Sequence, residues 1–197
     1  AATTLVTYAQ DAKSAAPALV AALKDAHGVV RRKAAEALYF TGADKSFADA
    51  LIAALDENGP QGFQGVIRTL GQLGPDGKQA VPQLLAAVQD EDPWVRYAAA
   101  DALGNVVAGQ AATTPNIKAI VAALVPLLKD PEPQLPVIAI EALGKIGPAS
   151  ADAVPALIES LKAKRYDIRR KAAETLGLIG EPAQAAVPGL CALLKDE

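Results

Sequence analysis

The sequence predicts an all-α fold, an α-solenoid built from stacked pairs of short helices. Two observations carry this expectation. A unit of 30 residues, clearest in Ala151 to Gly180, recurs in variant form along the 197-residue chain. The hydrophobic fraction is 51% while aromatic residues supply only 4%, so the apolar content lies mainly in Ala, Leu and Val. Small side chains of that kind suit helices that approach one another closely.

Each half of the unit has helical spacing. Val154, Leu157, Ile158 and Leu161 fall on one face of a first helix. Pro155 lies near its start, where a missing backbone N–H costs little. A polar turn follows from Lys162 to Asp167. Ile168, Ala172, Leu176 and Ile179 then mark the apolar stripe of a second helix. Gly180 ends it, where a left-handed residue is most often wanted, and Glu181-Pro182 should stop helical continuation. Two helices this short cannot bury their apolar faces alone, so neighbouring copies must share one core.

First-helix segments align on Pro17, Asp49, Pro82, Ala122, Pro155 and Pro188, at spacings of 32, 33, 40, 33 and 33 residues. The expected division of a single 1–197 solenoid is 14–44, 45–77, 78–110, 111–150 and 151–183, with a lone first helix at 184–197. Residues 1–13 read as a cap or the remnant of an earlier second helix. The array thus begins and ends in mid-pattern, as expected of a fragment or of ends that pack on something else. Second helices align on Val30-Arg31, Val95-Arg96 and Ile168-Arg169, and Gly42, Gly74, Gly147 and Gly180 close four of them.

The pattern Val-Arg-x-x-Ala-Ala, running on to Leu-Gly-x-Ile-Gly, with an upstream Ala-Val-Pro-x-Leu, resembles HEAT repeats. The short bacterial type named for phycobilisome lyases is the nearest form. The resemblance covers about residues 14 to 196 and is strong in repeats one, three and five. It implies a right-handed superhelix whose second helices line the concave side, used mainly to hold other macromolecules. It also implies a structural ladder in which Arg31, Arg96 and Arg169 meet turn carboxylates such as Asp25, Asp92 and Asp130.

Two repeats depart from the pattern. Repeat two has Gly62-Phe63 in place of Val-Arg, with further glycines at 59, 65 and 71; each glycine inside a helix costs about 1 kcal/mol relative to Ala. Repeat four carries seven extra residues, placed in the loop Gly109 to Pro115. Pro126 should kink its first helix, and Pro136 takes the place of the repeat arginine.

Composition narrows the chemistry. A net charge of −3 gives no bulk attraction to nucleic acid or membrane. The longest apolar run, Ala119 to Leu128, is too short for a membrane span of about 20 residues; the sequence leaves the compartment unknown, cytoplasmic by default. His27 is the sole histidine and precedes Gly28 in a turn, which excludes a zinc site of three or four N/S ligands. Asp90, Glu91 and Asp92 lack the spacing of a calcium loop. The run Gly59 to Gly65 lacks the Lys-Ser/Thr of a phosphate loop. Cys191 stands in an apolar slot filled elsewhere by Val20, Ile52, Leu85 and Ile158, so it reads as a core cysteine. Trp94, after the N-cap pair Asp92-Pro93, reads first as a packing anchor between repeats and second as an exposed binding aromatic. No catalytic constellation, cofactor or metal site emerges.

A binding face follows from helical angles. With Val30, Ala34, Leu38 and Thr41 toward the core, the opposite side carries Arg32, Glu36 and Tyr39. The corresponding positions are Gln64, Arg68 and Gly71; Tyr97, Asp101 and Gly104; Val137, Glu141 and Gly144; and Arg170, Glu174 and Gly177. Val137 with Ile138 forms an apolar pair there. The basic clusters Arg31 to Lys33 and Lys164 to Lys171 read as solvated charge paired with Glu36 and Glu174 along the helix. The expected function is a non-enzymatic scaffold binding a protein or peptide. The alternatives by resemblance are an accessory to chromophore attachment and, with less support, nucleic-acid binding through the basic clusters. Apolar ends would also permit a homodimer by end stacking.

Overall fold

The computed structural model describes residues 14–41, 45–58 and 64–193. Eleven α-helices occupy them: α1 (14–22), α2 (Gly28–Thr41), α3 (Ala48–Asn58), α4 (Gln64–Gln72), α5 (Val81–Ala87), α6 (Pro93–Val107), α7 (Ile117–Leu124), α8 (Leu135–Ile146), α9 (Val154–Ser160), α10 (Tyr166–Ile179) and α11 (Val187–Leu193). No strand occurs among the described residues. The cap segment 1–13, the run 59–63 and Gly42 lie outside them.

Odd-numbered helices are the first members of each pair and even-numbered helices the second. The second helices pack on one another in chain order, α2 on α4, α4 on α6, α6 on α8 and α8 on α10. The first helices α3, α5, α7 and α9 lie against their own partners and the segments beside them. Buried side chains from Ala16 to Ala186 form one continuous apolar cluster, as a solenoid requires.

The repeat connections differ from expectation in a simple way. The second helix α10 does end at Ile179, ahead of Gly180; Pro182 then sits in the first turn of a separate 3₁₀ segment, Glu181–Ala186, that leads into α11. Gly74–Ala80 and Gly147–Ala153 do the same before α5 and α9. Proline fits there because the first turn has no intrahelical acceptor for its missing N–H. Gly147 (φ 70°, ψ −138°) and Gly180 (φ 74°, ψ −134°) reverse the chain ahead of these segments. That is the mirror image of extended backbone, open to glycine alone, and not the left-handed helical conformer anticipated. Pro126 likewise does not bend one continuous helix: α7 ends at Leu124 and continues as a tighter 3₁₀ segment, Val125–Lys129.

The second helices meet through small residues. A Cβ placed on Gly71 would lie 3.0 Å from the Ala102 Cα, and one on Gly104 would lie 2.8 Å from the Ala142 Cα. On Gly144 it would lie 3.0 Å from the Thr175 hydroxyl oxygen, which itself donates to the Ile140 carbonyl on α8 at 3.1 Å. These three glycines are therefore buried between helices and do not belong to the open face on which the angular argument placed them. They stand three residues beyond Arg68, Asp101 and Glu141, a rotation of about 60° toward the next helix. Gly177, the fourth of the series, has nothing within 4 Å of such a Cβ.

Candidate binding face

The outer positions of the second helices make a tied row of side chains. On α4, the Arg68 guanidinium donates to the Tyr39 hydroxyl at 3.3 Å and lies 4.6 Å from that ring's centroid. Between α6 and α8, Lys145 donates to Asp101 at 2.7 Å. Between α8 and α10, Lys171 reaches Glu141 at 2.8 Å and Glu174 at 3.5 Å, and Arg170 also pairs with Glu174. Each cross-helix tie joins neighbouring repeats, so the row has a fixed register. The side chains of Arg32 and Glu36 lie outside the described residues.

Tyr97 and Trp94 occupy the middle of this row on α6. Their rings meet edge-on with centroids 6.3 Å apart. Trp94 is 52% exposed, so the second of its two readings holds, an exposed aromatic and not a packing anchor. Its position in the first turn of α6, where Asp92 accepts the Trp94 backbone N–H, points the residue away from the core stripe. Tyr97 is half-buried; burial, then the Asp101 and Glu141 carboxylates, push its hydroxyl above the usual tyrosine value. Val137 is half-buried beside the core, but Ile138 is 5% exposed and belongs to the core, so the expected apolar pair reduces to Val137.

The arginine ladder is seen at Arg96, and all three arginines also serve their own turns. Arg31, Arg96 and Arg169 each donate to two backbone carbonyls of their own turn, at Asp25 and Ala26, Asp90 and Glu91, and Ala163 and Lys164. Arg96 in addition grips both Asp130 oxygens, in the next repeat, at 3.1 Å. Asp25 and Asp92 spend carboxylate oxygens locally, Asp25 on the His27 N–H and ring and Asp92 on its helix cap. Carbonyls at a tight turn point outward together, which makes them ready acceptors for a planar fork of donors.

Two further features fall elsewhere. The inserted loop of repeat four, with a 3₁₀ turn at Ala111–Thr113, faces Lys78 to Pro82 across a cleft of about 420 Å³. Its lining of Thr, Gln, Asn, Pro and Val81 with one lysine holds no carboxylate, histidine or cysteine. Cys191 is exposed on α11, contrary to the expected core cysteine, because no described helix covers that side of α11. Among the described residues no group of three or more His, Cys, Asp or Glu is arranged to hold a metal ion. No described helix is long and apolar enough to cross a membrane.

The surface pairs set a pH dependence. Hydrogen bonding from Arg165 holds Asp167 below the usual carboxylate value, and Lys129 does the same to Glu159. Their stabilisation is present above the unfolded carboxylate values, about 4, and is lost as pH falls through the lower folded ones. Lys171 is raised by its bond to Glu141, so its contribution is complete below the ordinary lysine value and fades as pH rises through the folded one. Thermal melting should therefore give a flat Tm from about pH 5 to 9 that declines on the acid side. Because the pairs are exposed, about 1 M salt should shrink the decline; an equal decline in high salt would count against these pairs as its cause.

The fold and the tied face together define an α-solenoid repeat protein. The family model described as HEAT repeats matches residues 48–123 and again 121–197, and the chain belongs to that family. No match is found among curated proteins. Among solved structures, an engineered protein is similar at 21% identity and a TM-score of 0.73, covering 91% of this chain and 86% of its own. A designed armadillo repeat protein in complex with the peptide (KR)4 is similar at 15% identity and a TM-score of 0.74, covering 91% of each chain. A computationally designed armadillo repeat protein for modular peptide recognition is similar at 20% identity and 0.64, covering 81% and 80%. At these identities the likenesses speak for the fold alone.

Proposed function

We propose that this protein is a scaffold without chemistry of its own, which holds a protein or peptide partner along the exposed face of its second helices. The observation that carries the reading is the row Tyr39–Arg68, Asp101–Lys145 and Glu141–Lys171. Close contacts between the second helices fix the spacing of these positions before a partner arrives. Membership of the HEAT-repeat family implies a superhelix with second helices inside, which makes this face the concave one. With helices about 8–10 Å apart, five of them offer a groove roughly 50 Å long, a length suited to a peptide or a protein ridge. That designed relatives of this shape are named for peptide recognition agrees with such use.

The test compares capture of a protein partner by the parent chain and by a Tyr97→Ala, Arg170→Glu variant. Loss of binding by about tenfold or more, equivalent to about 1.4 kcal/mol, is expected if these residues are central. Undiminished capture by the variant would place the partner elsewhere, and recovery of nucleic acid or a bound pigment in place of protein would overturn the reading.

A further inference from the structure

We propose that the array carries a built-in joint: α2 rocks on α4, pivoting where Tyr39 meets Arg68, while the stack from α4 to α10 moves as one body. The inference stands on how the second helices touch and is independent of what the face holds.

One register position sets the first junction apart. Gly71, Gly104, Gly144 and Gly177 occupy it on α4, α6, α8 and α10, and on α2 the residue is Tyr39. At Gly71, Gly104 and Gly144 a Cβ would meet the next helix at 3.0 Å or less, so those helices touch almost backbone to backbone. Tyr39 carries that Cβ and a ring beyond it, so α2 must stand farther from α4. A threonine on the following helix measures the difference. Thr175 on α10 donates to the Ile140 carbonyl of α8 at 3.1 Å. Thr69, its counterpart on α4, donates within its own helix to the Gly65 carbonyl at 2.7 Å. It stands 3.5 Å from the Ala35 carbonyl of α2, the counterpart of Ile140. A hydroxyl has one proton to give, so the bond that joins α8 to α10 is turned inward at the first junction.

The start of α2 is looser than the starts of its counterparts. The apolar residue that opens α6 or α8, Val95 or Leu135, is fully buried, and Ile168 on α10 is 9% exposed. Val30 holds that place on α2 and is 40% exposed. On the outer face, α2 and α4 meet through side chains: Arg68 lies over the Tyr39 ring and donates to its hydroxyl at 3.3 Å, at an exposed position. Such a contact turns about its own single bonds without breaking. It lies about three helical turns from the start of α2, so a small rotation there becomes a larger swing at the turn ahead of the helix. Backbone against backbone, as at the glycines, resists the same rotation because close-packed atoms leave no room for it.

Ala26, Glu91 and Lys164 hold equivalent, exposed places in the turns before α2, α6 and α10. Spin labels would be placed on the full chain through Ala26→Cys with Glu91→Cys, and separately through Glu91→Cys with Lys164→Cys, both with Cys191→Ser. Each pair spans two junctions. Pulsed dipolar spectroscopy should give a distance distribution about twice as wide for the first pair as for the second. Tyr39→Gly, which lets α2 settle against α4 as the later helices do, should narrow and shorten the first distribution alone. Arg68→Ala, which removes the pivot, should broaden it, with circular dichroism confirming that the helices persist. Simple fraying of α2 predicts the opposite response to Tyr39→Gly, because glycine weakens a helix. Broadening in that variant with its helices intact would therefore overturn the joint. Equal widths for the two pairs in the parent chain, or a first distribution that Arg68→Ala leaves unchanged, would overturn it as well. Should Tyr39→Gly fail to fold, those last two comparisons decide the matter.

Discussion

Replacing Gly104 with valine is expected to lower the unfolding free energy by about 3 kcal/mol, near the upper end for forcing volume into a packed contact. The first added carbon would stand 2.8 Å from the Ala142 Cα and 3.0 Å from its Cβ. Backbone atoms of α8 cannot rotate aside as a long side chain would, so α6 and α8 must separate. Even alanine should destabilise here, although it would gain about 1 kcal/mol in helix propensity elsewhere. Gly177 supplies the opposite sign. It follows the same repeat register on α10 but has nothing within 4 Å, so Gly177→Ala should stabilise by up to about 1 kcal/mol. Urea denaturation of the two alanine variants is the direct check: midpoints moving in the same direction would mean that helix spacing does not govern these positions.

Arg96→Ala should cost about as much, roughly 3 kcal/mol. The Arg96 and Asp130 side chains are only 17% and 11% exposed, and the guanidinium serves both the Asp130 carboxylate and the Asp90 and Glu91 carbonyls. Its removal leaves a largely buried carboxylate without its cation, which is the costly way to break a pair. Truncating Asp130 as well should therefore cost less than the sum of the single losses, measurable as a coupling of about 1 kcal/mol or more in a double-mutant cycle. By contrast the Lys129–Glu159 pair, with side chains 74% and 64% exposed, should be removable with little effect. A double-mutant cycle showing no coupling between Arg96 and Asp130 would contradict this account.

The fold was legible because its signals are local. A Val-Arg pair, a proline near each first-helix start and a glycine after each second helix all act within one repeat, and helices α6 and α10 fall where those signals place them. What escaped depends on the register between repeats. Asp101 and Lys145 are 44 residues apart in sequence and meet only because α6 and α8 stack in a particular alignment. The same alignment turns Gly71, Gly104 and Gly144 from surface positions into contact points. Trp94 and Cys191 were misjudged for a related reason. Each occupies a slot defined by analogy with other repeats, and burial depends on which neighbour covers that slot. The slot of Cys191 is only half-buried even in Val20, Ile52, Leu85 and Ile158.

The order of contacts among the second helices bears on how this molecule can fail and change. Since α2 touches α4, α4 touches α6 and so on, no packing between them closes the chain upon itself. Its free energy is then a sum of repeat terms and junction terms, with no single keystone. A weakened junction divides the array into two blocks that each keep their own internal contacts, and damage in one repeat reaches a distant one only through every junction between. The seven extra residues of repeat four are absorbed within that repeat, and α6 and α8 still pack directly.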